Sequence, residues 1–313
     1  MGMRLGQYSS SALSRNWVRE IPRVAYCVYL ASKGDYVYVQ GSSEGSVQKR
    51  RRTDGNLIWQ KDMMIDVGEI AQVNNTNIAV DCNYNIYTTK DCYLYKYDEN
   101  GNLIWDIKVE DTVEGCRTII FSVSADGTRI MLKSVNRTKI YSYKTIDGTK
   151  DVEFTPEIPN YTIYSIYYGE YDSNNNFIID IYIQKVGTPR FILKYNSTGT
   201  ERLWYNLGYN WISSGYINLG GKPIAVDKED NVWSFRVENN VRKLVKFSRN
   251  TGNIMCSASD EGTILVALSN GDVATASLQS NVMTLNRFNT NAELQKTETY
   301  NGVTALYRMD MTI

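Results

Sequence analysis

The stretch "DENGNLIWDIKV" at Asp98–Val109 nearly repeats "RTDGNLIWQKDM" at Arg52–Met63, and Gly101 stands 46 residues after Gly55. Each copy reads as a polar turn that reverses the chain, followed by an alternating strand. Writing the same turn and strand twice at this spacing means building one supersecondary unit more than once. Before each turn stands a strand ending in a polar–aromatic pair: Lys96-Tyr97, Ser142-Tyr143, Lys194-Tyr195, Lys246-Phe247 and Arg287-Phe288, with Arg50-Arg51 taken as the first. From position 51 the steps to 97, 143, 195, 247 and 288 are 46, 46, 52, 52 and 41 residues, which makes six units.

Glycine recurs in the turns as Asp54-Gly55, Asn100-Gly101, Asp147-Gly148, Thr198-Gly199 and Thr251-Gly252. The sixth unit has Asn291-Ala292, where Asn291 is expected to supply the conformational tolerance. The front half of each unit repeats too. "IAVDCNYNIYTT" (Ile78–Thr89) and "IAVDKEDNVWSF" (Ile224–Phe235) are each an apolar strand, a polar turn and a second alternating strand. Four short strands per unit follow, and no stretch carries a capped 3.6-residue period.

These "AVDxxxN(I/V)(Y/W)" and "(D/N)GNLIW" turns resemble the blades of β-propellers of the NHL-like and PQQ-like kind, over about Val24 to Tyr300. The resemblance implies an all-β propeller of six four-stranded antiparallel blades, with seven as the alternative. A lone four-stranded sheet cannot cover both its faces, so units stack radially and each covers the next. The resemblance further implies that Trp59, Trp105 and Trp204, on the fourth strand, dock between blades; Phe154 is a looser match, and Cys256 and Gln295 depart from it. Residues 1–15 read as a polar arm and 16–313 as one propeller domain. The strand-like remnants Asn16–Ile21 and Gly302–Met311 are expected to close the ring together.

Composition narrows the function. Lys+Arg and Asp+Glu both number 34, so no global field draws the chain to nucleic acid or an anionic membrane. Histidine is absent, which removes the usual general base near neutral pH and the commonest metal ligand. The cysteines Cys27, Cys82, Cys92, Cys116 and Cys256 form no C-x-x-C pair. Tyrosine is the excess residue, 24 copies against 7 Phe and 6 Trp, and favours half-wet strand surfaces. No signal-peptide core or membrane span is read, so the expectation is a chain made in the cytoplasm, whose final location is a virion.

Three features invite a sharper reading. The run Lys49-Arg50-Arg51-Arg52 sits on a third strand beside Asp54, which favours a solvated edge over a phosphate site. Asp81-x-Asn83-x-Asn85 and Asp172-x-Asn174-x-Asn176 begin like calcium loops, but the terminal acidic ligand is missing, so tight-turn chemistry is expected and no metal. PQQ-dependent dehydrogenases share the blade motif only, and no cofactor is expected. The long inter-blade loops, Lys61–Asn75, Thr155–Tyr164 and Gly208–Gly221, carry Tyr161, Tyr164, Tyr209, Trp211 and Tyr216 among polar side chains. Rigid aromatics among short polar groups suit sugar and protein surfaces alike, while the competing reading packs these rings between blades.

The expected function is a non-catalytic structural or adaptor protein of a larger assembly, with virion proteins of a phage tail or baseplate as partners. A glycan- or receptor-binding module is the alternative, and a carboxylate-only glycosidase the last in rank.

Overall fold

The computed structural model describes residues 3–8, 15–21, 28–41, 45–65, 78–109, 118–134, 138–183, 189–210, 223–238, 241–262 and 264–301. Six four-stranded antiparallel sheets follow one another along the chain, at 28–62, 78–108, 118–154, 163–210, 224–259 and 264–301. They are blades 1 to 6 of a β-propeller, each with its strands in sequence order, and no helix occurs among the described residues. The first strands of successive blades lie against one another from blade 1 to blade 6, and the fourth strands form the exposed rim. Met3–Tyr8, inside the expected polar arm, is a strand paired with Arg15–Ile21. The remnant expected to help close the ring therefore pairs within the N-terminal segment, and every blade is completed from its own stretch; Gly302–Met311 lies outside the described residues.

The core sits in the wedges between blades. Ile78, Ile86 and Tyr97 of blade 2 pack with Tyr38, Val47 and Met63 of blade 1. Tyr168, Ile178 and Trp204 of blade 4 pack with Ile224, Val245 and Phe247 of blade 5. The same arrangement fills the wedges between blades 2 and 3, 3 and 4, and 5 and 6. This is the burial that a single sheet cannot achieve alone.

The "AVD" motif closes the turn between first and second strands. The Asp81 carboxylate accepts the backbone N–H of Asn83 (2.8 Å) and Asn85 (2.9 Å), the Asn85 side-chain amide (2.8 Å) and the Tyr87 hydroxyl (2.8 Å). Asp172 accepts from Asn174 and Asn176, and Asp227 from Glu229, Asn231 and the Trp233 indole. The carboxylates of the calcium-like sequences are thus engaged by their own turns.

A bulge recurs at one point in all six blades, skipping Ile58, Ile104, Asp151, Leu203, Met255 and Gln295 on the fourth strand. It leaves the Leu-Ile of "GNLIW" outside, with Leu103 53% and Ile104 50% exposed, and turns Trp105 back into the wedge. The registers also revise the alignment. Lys49 opposes Trp59 as Lys96 opposes Trp105, so the first pair is Lys49-Arg50 and not Arg50-Arg51. The tryptophan position in blade 3 is Val152, and in blade 6 it is Lys296, one residue beyond Gln295. Phe154, two residues past Val152, still packs in the wedge between blades 3 and 4, against Phe177 and Tyr195.

In blades 1 to 5 the polar member of the pair ties its blade to the next, while Arg287 of blade 6 bonds Asp272 of its own blade. Lys49 Nζ donates to the Glu99 carbonyl (3.2 Å), Lys96 to Thr145 (2.8 Å), Lys194 to Arg249 (3.1 Å) and Lys246 to Thr290 (3.2 Å). Lys194 and Lys246 also pair with the turn carboxylates Asp172 (2.7 Å) and Asp227 (3.1 Å). Lys49 lies over the Tyr36 ring at 4.1 Å, and burial holds its amine and that of Lys96 below the usual lysine range. Blade 3 has Ser142 at this position, bonded to the Tyr171 hydroxyl of blade 4 (2.8 Å). The tie moves to Lys133, whose buried amine reaches the Ile166 carbonyl and is pushed down to about 8 by loss of solvation.

Candidate docking surface on blade 4

Blade 4 outgrows its neighbours. Its first strand Ile163–Tyr171 and fourth strand Arg202–Asn210 have 9 residues each, against 3 and 6 for the corresponding strands of blade 2. The excess lies at the end where the second-to-third-strand loop emerges, since Ile163 pairs with Ile183 and Pro189 with Asn210. Segments expected as loops are therefore partly sheet: Tyr164 and Tyr209 are strand residues, and Tyr161 forms an isolated bridge with Ile158. The sequence supports this extension, because "FIIDIYI" and "PRFILKY" are long enough to carry it and rich in β-branched and aromatic residues.

The structure sets Tyr161 and Tyr164 on opposite faces of this blade. Tyr161, 38% exposed, packs on Phe191 at 5.5 Å between ring centroids, and Phe191 belongs to the cluster facing blade 3. Tyr205 continues this ledge, 6.2 Å from Phe191, with the Arg202 guanidinium 4.8 Å above its ring. Tyr164, 65% exposed, meets Tyr182 edge-on at 5.5 Å. Tyr182 shares its strand face with Asp180 and Ile178, which turns toward blade 5. Beneath it the buried Arg190–Asp180 ion pair holds the second and third strands together, and the guanidinium stacks 4.1 Å over the Tyr167 ring.

Two aromatic ledges thus flank one projecting blade, each fixed to sheet. Three members, Tyr182, Tyr205 and Arg190, escape sequence reading, since only the strand register brings them beside Tyr161 and Tyr164. Of the other candidates, the Tyr209 backbone closes the outer strand next to Asn210, while Trp211 and Tyr216 lie outside the described residues. Trp204 is 6% exposed in the wedge between blades 4 and 5, and Trp59 and Trp105 pack edge-on or tilted against Tyr38 and Tyr87.

No family model and no curated protein sequence matches the chain. Among solved structures, BamB from Moraxella catarrhalis superposes with a TM-score of 0.54 at 11% identity, covering 98% of this chain and 82% of that one. A chain of the Mitotic Checkpoint Complex superposes with a TM-score of 0.57 at 10% identity, covering 96% of this chain and 82% of its own length. At such identities the likeness is one of fold, and the fold is the β-propeller.

Proposed function

We propose that the chain is a non-catalytic propeller that serves as an adaptor in a larger protein assembly and docks its partner on the projecting end of blade 4. The observation that carries this reading is Tyr164, 65% exposed yet held on a strand and backed by Tyr182. A large ring kept rigid in water costs little entropy to bury against a partner, which is the physics of an interface anchor. A sequence without histidine favours binding over catalysis, and one fold neighbour is itself a chain of a multi-protein complex. The Tyr- and Asn-rich strands suit a phage tail or baseplate, so the assembly proposed is a virion.

The test is co-sedimentation of the full chain with its native particle, or with large complexes in lysate, for the wild type and for Tyr164→Ala and Tyr161→Ala. The expected result is a chain in the heavy fraction, with at least one variant shifted to the monomer position while melting like wild type. A wild-type chain that runs as a monomer throughout, or variants that stay in the heavy fraction, overturns the docking surface. A glycan array signal abolished by Tyr164→Ala, with no protein partner, would favour the sugar-binding reading instead.

A further inference from the structure

A second, chemically different site lies at the wedge between blades 5 and 6. A cleft of about 560 Å³ opens there, within the range of small-ligand sites. Its origin is visible in the sequence. The fourth strand of blade 5 is "IMCSAS" and the second strand of blade 6 begins "VATAS", so small side chains stand where other wedges hold aromatics. The walls are the hydroxyls of three serines and Thr284, the carboxylates of Asp260 and Glu261 and the amides of Gln279 and Asn286, with Val282 the one apolar member. No aromatic ring and no cationic side chain lines it.

The polar groups are held in place from behind. Asp260, 5% exposed, accepts from the Asn286 amide (2.8 Å) and from the Gly262 backbone N–H (3.1 Å). Asn286 is itself oriented by the Thr297 hydroxyl (2.8 Å). Arg242 donates to the carbonyls of Glu261 (3.1 Å) and Gly262 (2.9 Å), which fixes the segment bearing both acids. Thr275, fully buried on the same strand face as Ser277, turns its hydroxyl to the Asp260 carboxylate as a further donor. Burial pushes the Asp260 carboxyl above the usual carboxylate range, so its charged form gains from a counter-charge entering the cleft.

We propose that this cleft binds a ligand bearing a primary ammonium group. An ammonium offers three donors and no acceptor, and this lining offers two carboxylates with hydroxyl and amide oxygens around them and no cationic side chain among its members. A neutral sugar would find no ring to stack on. A bare calcium ion needs six to eight oxygens, several of them charged, whereas Asp260 and Glu261 are the only carboxylates in this lining. The ammonium could belong to a free polyamine or to a lysine side chain of a protein, and the experiment separates the two.

The full chain is titrated calorimetrically, at low salt, with spermidine and with a lysine-containing peptide, and in parallel with myo-inositol and calcium chloride. One saturable site for an amine is expected, weakened about tenfold or more by Asp260→Asn and by added salt, as for a buried charge pair losing one member. Tighter spermidine binding identifies a free polyamine, and tighter peptide binding a partner's lysine. Glu261→Gln, at an exposed carboxylate, keeps the test decisive if Asp260→Asn fails to fold, and should weaken binding several-fold. The proposal is overturned if neither amine saturates, if both carboxylate variants bind as wild type, or if only inositol or calcium binds.

Discussion

The wedge between blades 4 and 5 and the wedge between blades 5 and 6 solve one packing problem with opposite residues. In the first, Trp204 of blade 4 fills the gap, and its indole N–H donates to the Arg249 carbonyl of blade 5 at 3.0 Å. The facing turn residue is Gly252, at φ +68°, where an added Cβ would stand 2.6 Å from the indole. In the second, the tryptophan position holds Cys256 and the facing turn residue is Ala292, at φ +63° and buried among blade 5 side chains. Where the ring is present the turn has no room for a methyl, and where the ring is missing a methyl has entered. Glycine in these turns is therefore set by its neighbour across the wedge as well as by its own backbone. Gly199 against Phe154 follows the same rule, whereas at Gly148 the nearest atom to an added Cβ is the Ile107 methyl at 2.8 Å, with the Trp105 ring at 3.4 Å.

The comparison breaks most severely at Trp204. Trp204→Ala removes a ring that is 6% exposed and an interblade hydrogen bond, and should cost about 3–5 kcal/mol, read from chemical denaturation. Trp105→Ala should cost less, because that indole is only half-buried and its N–H makes no hydrogen bond among the described residues. If Trp204→Ala melts like wild type, the wedge is not held by its ring and the rule above fails.

The wedge rule shows how far the fold could be read from the sequence. Period, strand count and turn positions were legible because each depends on a few residues acting locally: Asp98 caps its own turn, and Gly101 takes φ +77° within it. The bulge was not legible, since it depends on which backbone groups pair across the hairpin, and it moved the equivalence from Phe154 to Val152 and from Gln295 to Lys296. In the sixth turn the left-handed residue is Ala292 and not the more tolerant Asn291, because position within the turn, and not residue preference, selects it. The candidate surface was half legible. Exposed tyrosines in long connections could be singled out from the sequence. Whether Tyr161 and Tyr164 share a face depends on pleat and register, and they do not. The cleft beside Asp260 left a faint trace only, a run of small residues where other blades write aromatics.

Gly252→Ala gives the next largest effect and sharpens the comparison. The left-handed backbone costs an ordinary residue about 1–2 kcal/mol, and the clash with Trp204 adds to it, so a loss of about 2–4 kcal/mol is expected. The double variant Trp204→Cys/Gly252→Ala copies the neighbouring wedge. It should be less damaged than the sum of its parts, by about 1–2 kcal/mol of coupling, since the methyl then has space. Strict additivity in this cycle would mean that ring and turn do not sense one another.

The smallest effect is expected from Ala292→Gly, the reverse change in the wedge without a tryptophan. Two terms oppose each other. Glycine relieves the left-handed strain at φ +63°, about 1–2 kcal/mol. It also deletes a methyl that is 6% exposed against Trp233 and Phe288 and frees the unfolded chain, together costing about 1–2 kcal/mol. The net change should lie within about 1 kcal/mol of zero, against the larger loss for Gly252→Ala four strands earlier. Denaturant midpoints of the two variants, measured side by side, decide it. A loss above about 2 kcal/mol for Ala292→Gly would make the Ala292 methyl a principal filler of that wedge, and the two wedges would then be packed to the same density by different means.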